Sequence, residues 1–299
     1  MHKKFLDSEY MSDRIKENPD ALLTRLLRTK LEAATKNTKL ADQAFNTIKK
    51  LPEPQVYETL CNIASHSKPD VAAVSFKHLR KYLAEKKYCS SAAYSCLWQT
   101  LKDKPELEAE IFRTIRENMF NKDTIGLDVA VDSLGSFAIS EPKYTPECIQ
   151  ILKDTMREVL GGTTSTNRFN DMPFAYYTLF DIATEKPEYT EDIAGFVKDC
   201  ALSSPKAFEA FIEGTRYVGF PRVFNNERLT LSIFDIADEG IQKLEKEWIP
   251  STALKTKGQT EKKHLLHLSQ TAVDTLKYNR NNYKESKDRR FSQVRSERQ

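Results

Sequence analysis

The sequence predicts an all-α protein built as an array of about six helical hairpins, on three observations. Apolar residues recur at i, i+4 and i+7 through most of the chain, the spacing of one buried helix face. Proline followed by an acidic residue recurs at Pro69-Asp70, Pro105-Glu106, Pro146-Glu147 and Pro187-Glu188, with the prolines 36, 41 and 41 residues apart. Only 9 of the 299 residues are glycine and 30% are charged, a composition suited to a fold with much surface per residue.

Each proline opens a helix because its fixed φ and missing N–H cost nothing at the first helical position, and the acid behind it meets the positive end of the helix dipole. Residues 20 to 34, with Leu23, Leu27, Leu31 and Ala34, pair with residues 38 to 51, with Leu40, Ala44, Ile48 and Leu51. Val56, Leu60 and Ile63 mark the next helix. The Pro69 helix answers it with Ala72, Phe76, Leu79 and Leu83. Ala93, Leu97 and Leu101 precede the Pro105 helix; Ala130, Leu134 and Phe137 precede the Pro146 helix, for which Thr145 is the expected N-cap. Tyr176, Leu179 and Ala183 precede the Pro187 helix. Ser204-Pro205 starts a sixth pair, completed by residues 226 to 244 with Leu229, Ile233 and Ile236. Ten residues after the four prolines stand Leu79, Ile115, Met156 and Val197, the expected shared core. The Gly-rich stretch from Gly161 to Met172 and the aromatic stretch from Tyr217 to Asn226 read as loops. The repeat domain thus spans 1–250. Leu265, Leu268, Ala272 and Leu276 predict a C-terminal amphipathic helix within 251–283, and 284–299 form a basic tail expected to be disordered.

The segment Asp128-Val-Ala-Val-Asp-Ser-Leu-Gly-Ser-Phe-Ala138, with its spaced alanine, leucine and glycine, resembles a HEAT helix, and residues 18 to 244 as a whole resemble the HEAT-like and armadillo-like α-solenoids. That resemblance implies a right-handed α-solenoid of about six hairpins, with the second helix of each pair lining the concave face. It also implies a non-catalytic scaffold or adaptor that binds another protein through that face and the loops. The tetratricopeptide pattern does not occur at its 34-residue spacing.

No run of about 18 apolar residues is present, and the first residues lack the apolar segment of a secretion signal. The five cysteines form no Cys-x-x-Cys pair and read as small buried hydrophobes. Together these features predict a cytoplasmic protein. Charge is uneven: twelve basic against five acidic residues from Lys255 onward give +7, which leaves residues 1–254 at −4 within an overall +3. The tail is therefore either an electrostatic arm for an anionic partner or a solubilising terminus.

No phosphate-loop, dinucleotide, nucleophile-elbow or zinc-protease motif occurs. His264 and His267 lack a third ligand at metal spacing, so no metal, cofactor or catalytic residue is nominated. Asp128 and Asp132 read as a solvated face, and Trp98 with Tyr94 as packing. One polar pattern repeats. Eleven residues after the prolines stand Arg80, Arg116, Arg157 and Lys198, with Lys77 and Arg113 three residues before the first two. On stacked repeats these cations predict a ladder for an acidic peptide or for phosphates, or else cations compensating helix C-termini. The function classes left are a protein-binding scaffold, a nucleic-acid-binding solenoid using ladder and tail, and a HEAT-like enzyme such as a DNA glycosylase, for whose active site no residue cluster is found.

Overall fold

The structure, a computed structural model, describes residues 38–85, 91–120, 127–161, 171–217 and 225–248, with isolated positions at 27, 29, 267, 271, 274, 278 and 281. The expected helix at 20–34, the C-terminal amphipathic helix, the basic tail and most of the two expected loops lie outside the described residues. Every regular element among the described residues is helical, and none of these helices is long and apolar enough to cross a membrane. The chain divides into two compact units, Met1–Gly126 and Leu127–Gln299.

The first unit contains α1 (Thr38–Ile48), α2 (Glu53–His66), α3 (Pro69–Ala84), α4 (Ser91–Asp103), a 3-10 turn at Pro105–Leu107, and α5 (Glu108–Phe120). Pro52 stands as the N-cap of α2, while Pro69 is the first residue of α3, as the fixed φ of proline favours. α2 packs along both α3 and α4. The α2–α3 pair is antiparallel: Tyr57 meets Tyr82 edge-on, with ring centroids 5.4 Å apart, and further along the Ser75 hydroxyl donates to the Leu60 carbonyl at 2.8 Å. Leu60, Ile63, Phe76, Leu79, Leu97 and Ile115 are sealed from solvent, each contributing about 1.5–3 kcal/mol of apolar burial. Trp98 lies against Phe112 with centroids 6.2 Å apart, so its expected packing role is what the structure shows.

α1 joins this core through a histidine. His78 of α3 is 8% exposed, stacks on Phe45 at 4.3 Å and has no hydrogen-bond partner for Nδ1 among the described residues. Burial pushes its imidazole below the ordinary value of 6.5; Asp42 opposes the shift, and Lys81 and Lys77 add to it. The folded state therefore binds fewer protons than the unfolded state. This contribution to stability is complete above about 6.5 and is lost as pH falls from there through the lower folded pKa. Urea unfolding at about pH 7.5 and about pH 5 should show a stability loss on acidification that shrinks in His78→Leu. Equal losses in both proteins would remove His78 from the account.

The second unit contains α6 (Leu127–Ser140), a 3-10 turn at Pro142–Tyr144, α7 (Thr145–Leu160), α8 (Met172–Glu185), a 3-10 turn at Pro187–Tyr189, α9 (Thr190–Ala201), α10 (Pro205–Tyr217) and α11 (Glu227–Lys243), which continues into a π turn at Leu244–Trp248. Alternate helices are neighbours: α8 packs against α6 and α10, while α9 packs against α7 and α11. The joints between the two rows repeat. The Thr145 hydroxyl donates to the Ala138 carbonyl at 2.6 Å, and 45 residues on the Thr190 hydroxyl donates to the Ala183 carbonyl at 3.2 Å. Asn226 caps α11 by accepting from the Leu229 amide at 3.1 Å, and its side-chain amide donates to the Ala183 carbonyl and to Thr190 Oγ1.

These joints correct the register read from the sequence. Thr145 is not an N-cap; it is the first residue of α7, and its hydroxyl is spent on the preceding helix. The opener matching Pro105 and Pro187 is Pro142, since each of these three starts a 3-10 turn. Ten residues on from these prolines lie Ile115, Leu152 and Val197, and Met156 stands one turn beyond Leu152. All four are buried, because a shift of four residues returns to the same helix face.

Candidate functional site

In the first unit the cations expected to act together sit on α3 and α5. Arg80 and Glu117 form a forked ion pair: Arg80 Nε donates to Glu117 Oε2 at 3.0 Å and Nη2 to Oε1 at 2.6 Å. Both side chains remain about one-third to one-half exposed, so water screens the pair; its main effect is to fix which residues of α3 face which of α5. Beyond the pair, Leu83 and Ala84 of α3 and Asn118 and Phe120 of α5 line a cleft of about 330 Å³, with Thr114 at its wall. The Thr114 hydroxyl donates to the Glu110 carbonyl within its own helix.

One turn back along its own helix from Arg80 stands Lys77 of α3, and one turn back from Glu117 stands Arg113 of α5. Helical spacing of three and four residues puts them on the same sides of their helices as Arg80 and Glu117. Both are exposed cations, and neither has an ion pair with any described residue. Arg116 is half-buried on α5. The faces of α3 and α5 thus carry an ion pair, an apolar cleft beside it and two exposed cations.

In the second unit the expected cations are already engaged. Arg157 donates to Asp154 Oδ1 at 3.1 Å, one turn back on α7, and its guanidinium lies 5.0 Å from the Phe196 ring centroid on α9. Lys198 of α9 pairs with Glu239 of α11 at 2.8 Å, a contact that raises its ammonium above the ordinary lysine value. Counted from Pro142, the residue equivalent to Lys198 is Lys153, which the sequence reading missed. Lys153 is 7% exposed; its Nζ donates to Asp192 Oδ1 at 2.6 Å and lies 5.4 Å from the Phe196 ring centroid. The available signal was the pair Pro142-Lys-Tyr-Thr145 and Pro187-Glu-Tyr-Thr190, which aligns the two repeats directly.

Among the described residues no group of three His, Cys, Asp or Glu side chains is placed to hold a metal ion. Asp132 is exposed and Asp128 partly so, as expected for a solvated face. Every regular element among the described residues is thus helical, and the second unit is built in two alternating rows. No protein-family model, curated protein or solved structure matches it at a significant level.

Proposed function

We propose that the chain is a non-catalytic α-solenoid scaffold of the HEAT-like type that binds another protein, and that the groove between α3 and α5 grips an acidic segment of that partner. One observation carries this reading: the helices that wall the apolar cleft also carry, one turn back from Arg80 and from Glu117, the exposed cations Lys77 and Arg113, neither of which has an ion pair with a described residue. A partner carboxylate is attracted to exposed cations that have no counterion of their own. Leu83 lies six residues beyond Lys77, or about 9 Å along the helix, a distance that three residues of extended chain cover. The fitting ligand therefore carries a bulky apolar residue for the Leu83–Phe120 cleft and, three positions away, an aspartate or glutamate for Lys77 and Arg113. The alternating helix rows and their recurring Thr-to-carbonyl joints support the repeat reading.

Selection from a random peptide display library tests the ligand class without knowledge of the partner. The expected peptides combine an acidic residue with Leu, Phe or Trp at that spacing and compete with one another for one site. Selected peptides without acidic residues would overturn the reading. So would exclusive binding to single-stranded or duplex DNA with the steep salt dependence of counterion release, which points to the nucleic-acid class instead.

A further inference from the structure

α1 is fastened to α3 at two points, one of them titratable near neutral pH. Its apolar side chains Ala41, Ala44, Phe45 and Ile48 are buried. The Phe45 ring lies nearly flat on the His78 imidazole, with centroids 4.3 Å apart and planes 22° from parallel. His78 is 8% exposed, and its buried Nδ1 has no hydrogen-bond partner among the described residues. The second fastening is Lys49, one turn beyond Phe45, which pairs with Glu85 at the end of α3 and lies 5.5 Å from the Phe45 ring centroid. The contacts that join α2 to α3, Tyr57 on Tyr82 and Ser75 on the Leu60 carbonyl, do not pass through α1.

A neutral imidazole suits this interface better than an imidazolium. The charged ring loses more hydration on burial, and its Nδ1–H finds no acceptor. On α3, Lys77 is the neighbour of His78 and Lys81 follows one turn later; both repel a further positive charge. On α1, Asp42 stands one turn before Phe45 and attracts it, while Lys49 is engaged with Glu85. From the other helices packed on α3, α2 brings Glu53, which accepts from the Tyr57 hydroxyl at 3.0 Å, and α5 brings Glu117, which is held by Arg80. Burial is the largest of these influences and, with the two lysines, outweighs Asp42. Docking of α1 is therefore fully favoured above about 6.5, the ordinary imidazole value that the released state regains, and weakens as pH falls from there.

We propose that the contact of α1 with α3 is an acid-sensitive latch: a proton taken from solvent by His78 releases α1 and uncovers the apolar surface beneath Phe45, while α2, α3 and α4 stay assembled. The release is local because the proton acts on the one ring that Phe45 covers, whereas the buried side chains between α2, α3 and α4 carry no such group at their contacts: Leu60, Ile63, Phe76, Leu79 and Leu97 are all apolar. Lys77, one residue from the latch, is also the cation of the proposed groove, but the groove is walled by α3 and α5 and its cleft takes no residue from α1. The latch therefore stands or falls independently of peptide binding.

Hydrogen–deuterium exchange of the full chain at about pH 7.5 and about pH 5, with labelling times scaled to the intrinsic exchange rate, reads the latch directly. On acidification, peptides from residues 38–48 should lose protection by at least about threefold, and peptides from residues 53–66 should keep theirs. His78→Leu should hold α1 equally at both pH values. His78→Gln, neutral and polar, gives the same readout if leucine is not tolerated. Asp42→Asn should enlarge the acid response, since it removes the carboxylate that favours the docked imidazolium, and Lys81→Gln should reduce it. Three outcomes would overturn the proposal: the same acid response in the wild type and in both His78 variants, protection lost equally from residues 38–48 and 53–66, or an acid response abolished by Asp42→Asn, which would assign the proton to that carboxylate.

Discussion

Phe211→Ala should destabilise the second unit by about 3–5 kcal/mol in chemical denaturation. Phe211 is sealed from solvent, meets Tyr176 and Phe180 edge-on at 5.7 and 6.2 Å, and stacks on Phe208 at 6.0 Å. The upper part of that range is expected because the site has little room to collapse. One turn along α10, Gly214 approaches α8 so closely that an added Cβ would lie 2.8 Å from the Pro173 carbonyl oxygen. Helices already in backbone contact cannot close further over the space left by the ring, so the cavity persists. A loss below about 1 kcal/mol would show that this aromatic cluster is not a closed core.

The second large effect is expected at the joint between α7 and α9, and it is asymmetric. Asp192→Ala leaves the Lys153 ammonium in a site 7% exposed, holding, among the described residues, only the Asp192 carbonyl at 3.5 Å and the face of Phe196. That loss should cost about 1–3 kcal/mol, the range for a buried polar group deprived of its partner. Lys153→Met retains the apolar stem and leaves Asp192, 61% exposed, to water; its expected cost is below about 1 kcal/mol. Equal losses in the two variants, measured by urea unfolding, would mean that Lys153 contributes by packing alone.

Lys153 also shows how much of this molecule could be read from its sequence. Helical periodicity located the described helices because the burial of one face is written at every third and fourth residue. The core positions Leu79, Ile115, Met156 and Val197 are all buried. Pro142 and Pro146 stand four residues apart and both carry helix-opening signals, so counting from Pro146 displaced the repeat by one turn. An apolar stripe is indifferent to a one-turn shift; a specific polar partner is not. The same shift therefore preserved the core but assigned Arg157 where the structure places Lys153. Lys77 and Arg113 were visible as cations at related offsets. That they belong to two helices joined by the Arg80–Glu117 pair, across 37 residues of sequence, follows only from the packing.

The most direct measurement of the central claim is the affinity of a peptide carrying one aromatic and one acidic residue three positions apart, compared between the wild type and Lys77→Glu/Arg113→Glu. Both side chains are exposed and have no ion pair with a described residue, so the double variant should unfold at nearly the wild-type denaturant concentration. The account predicts binding to the wild type that weakens as salt rises, and a loss of at least about tenfold in the variant, since two attractions become repulsions. Unchanged affinity in a stably folded variant would contradict the account, because it would leave the α3–α5 groove without the anionic ligand that its charges imply.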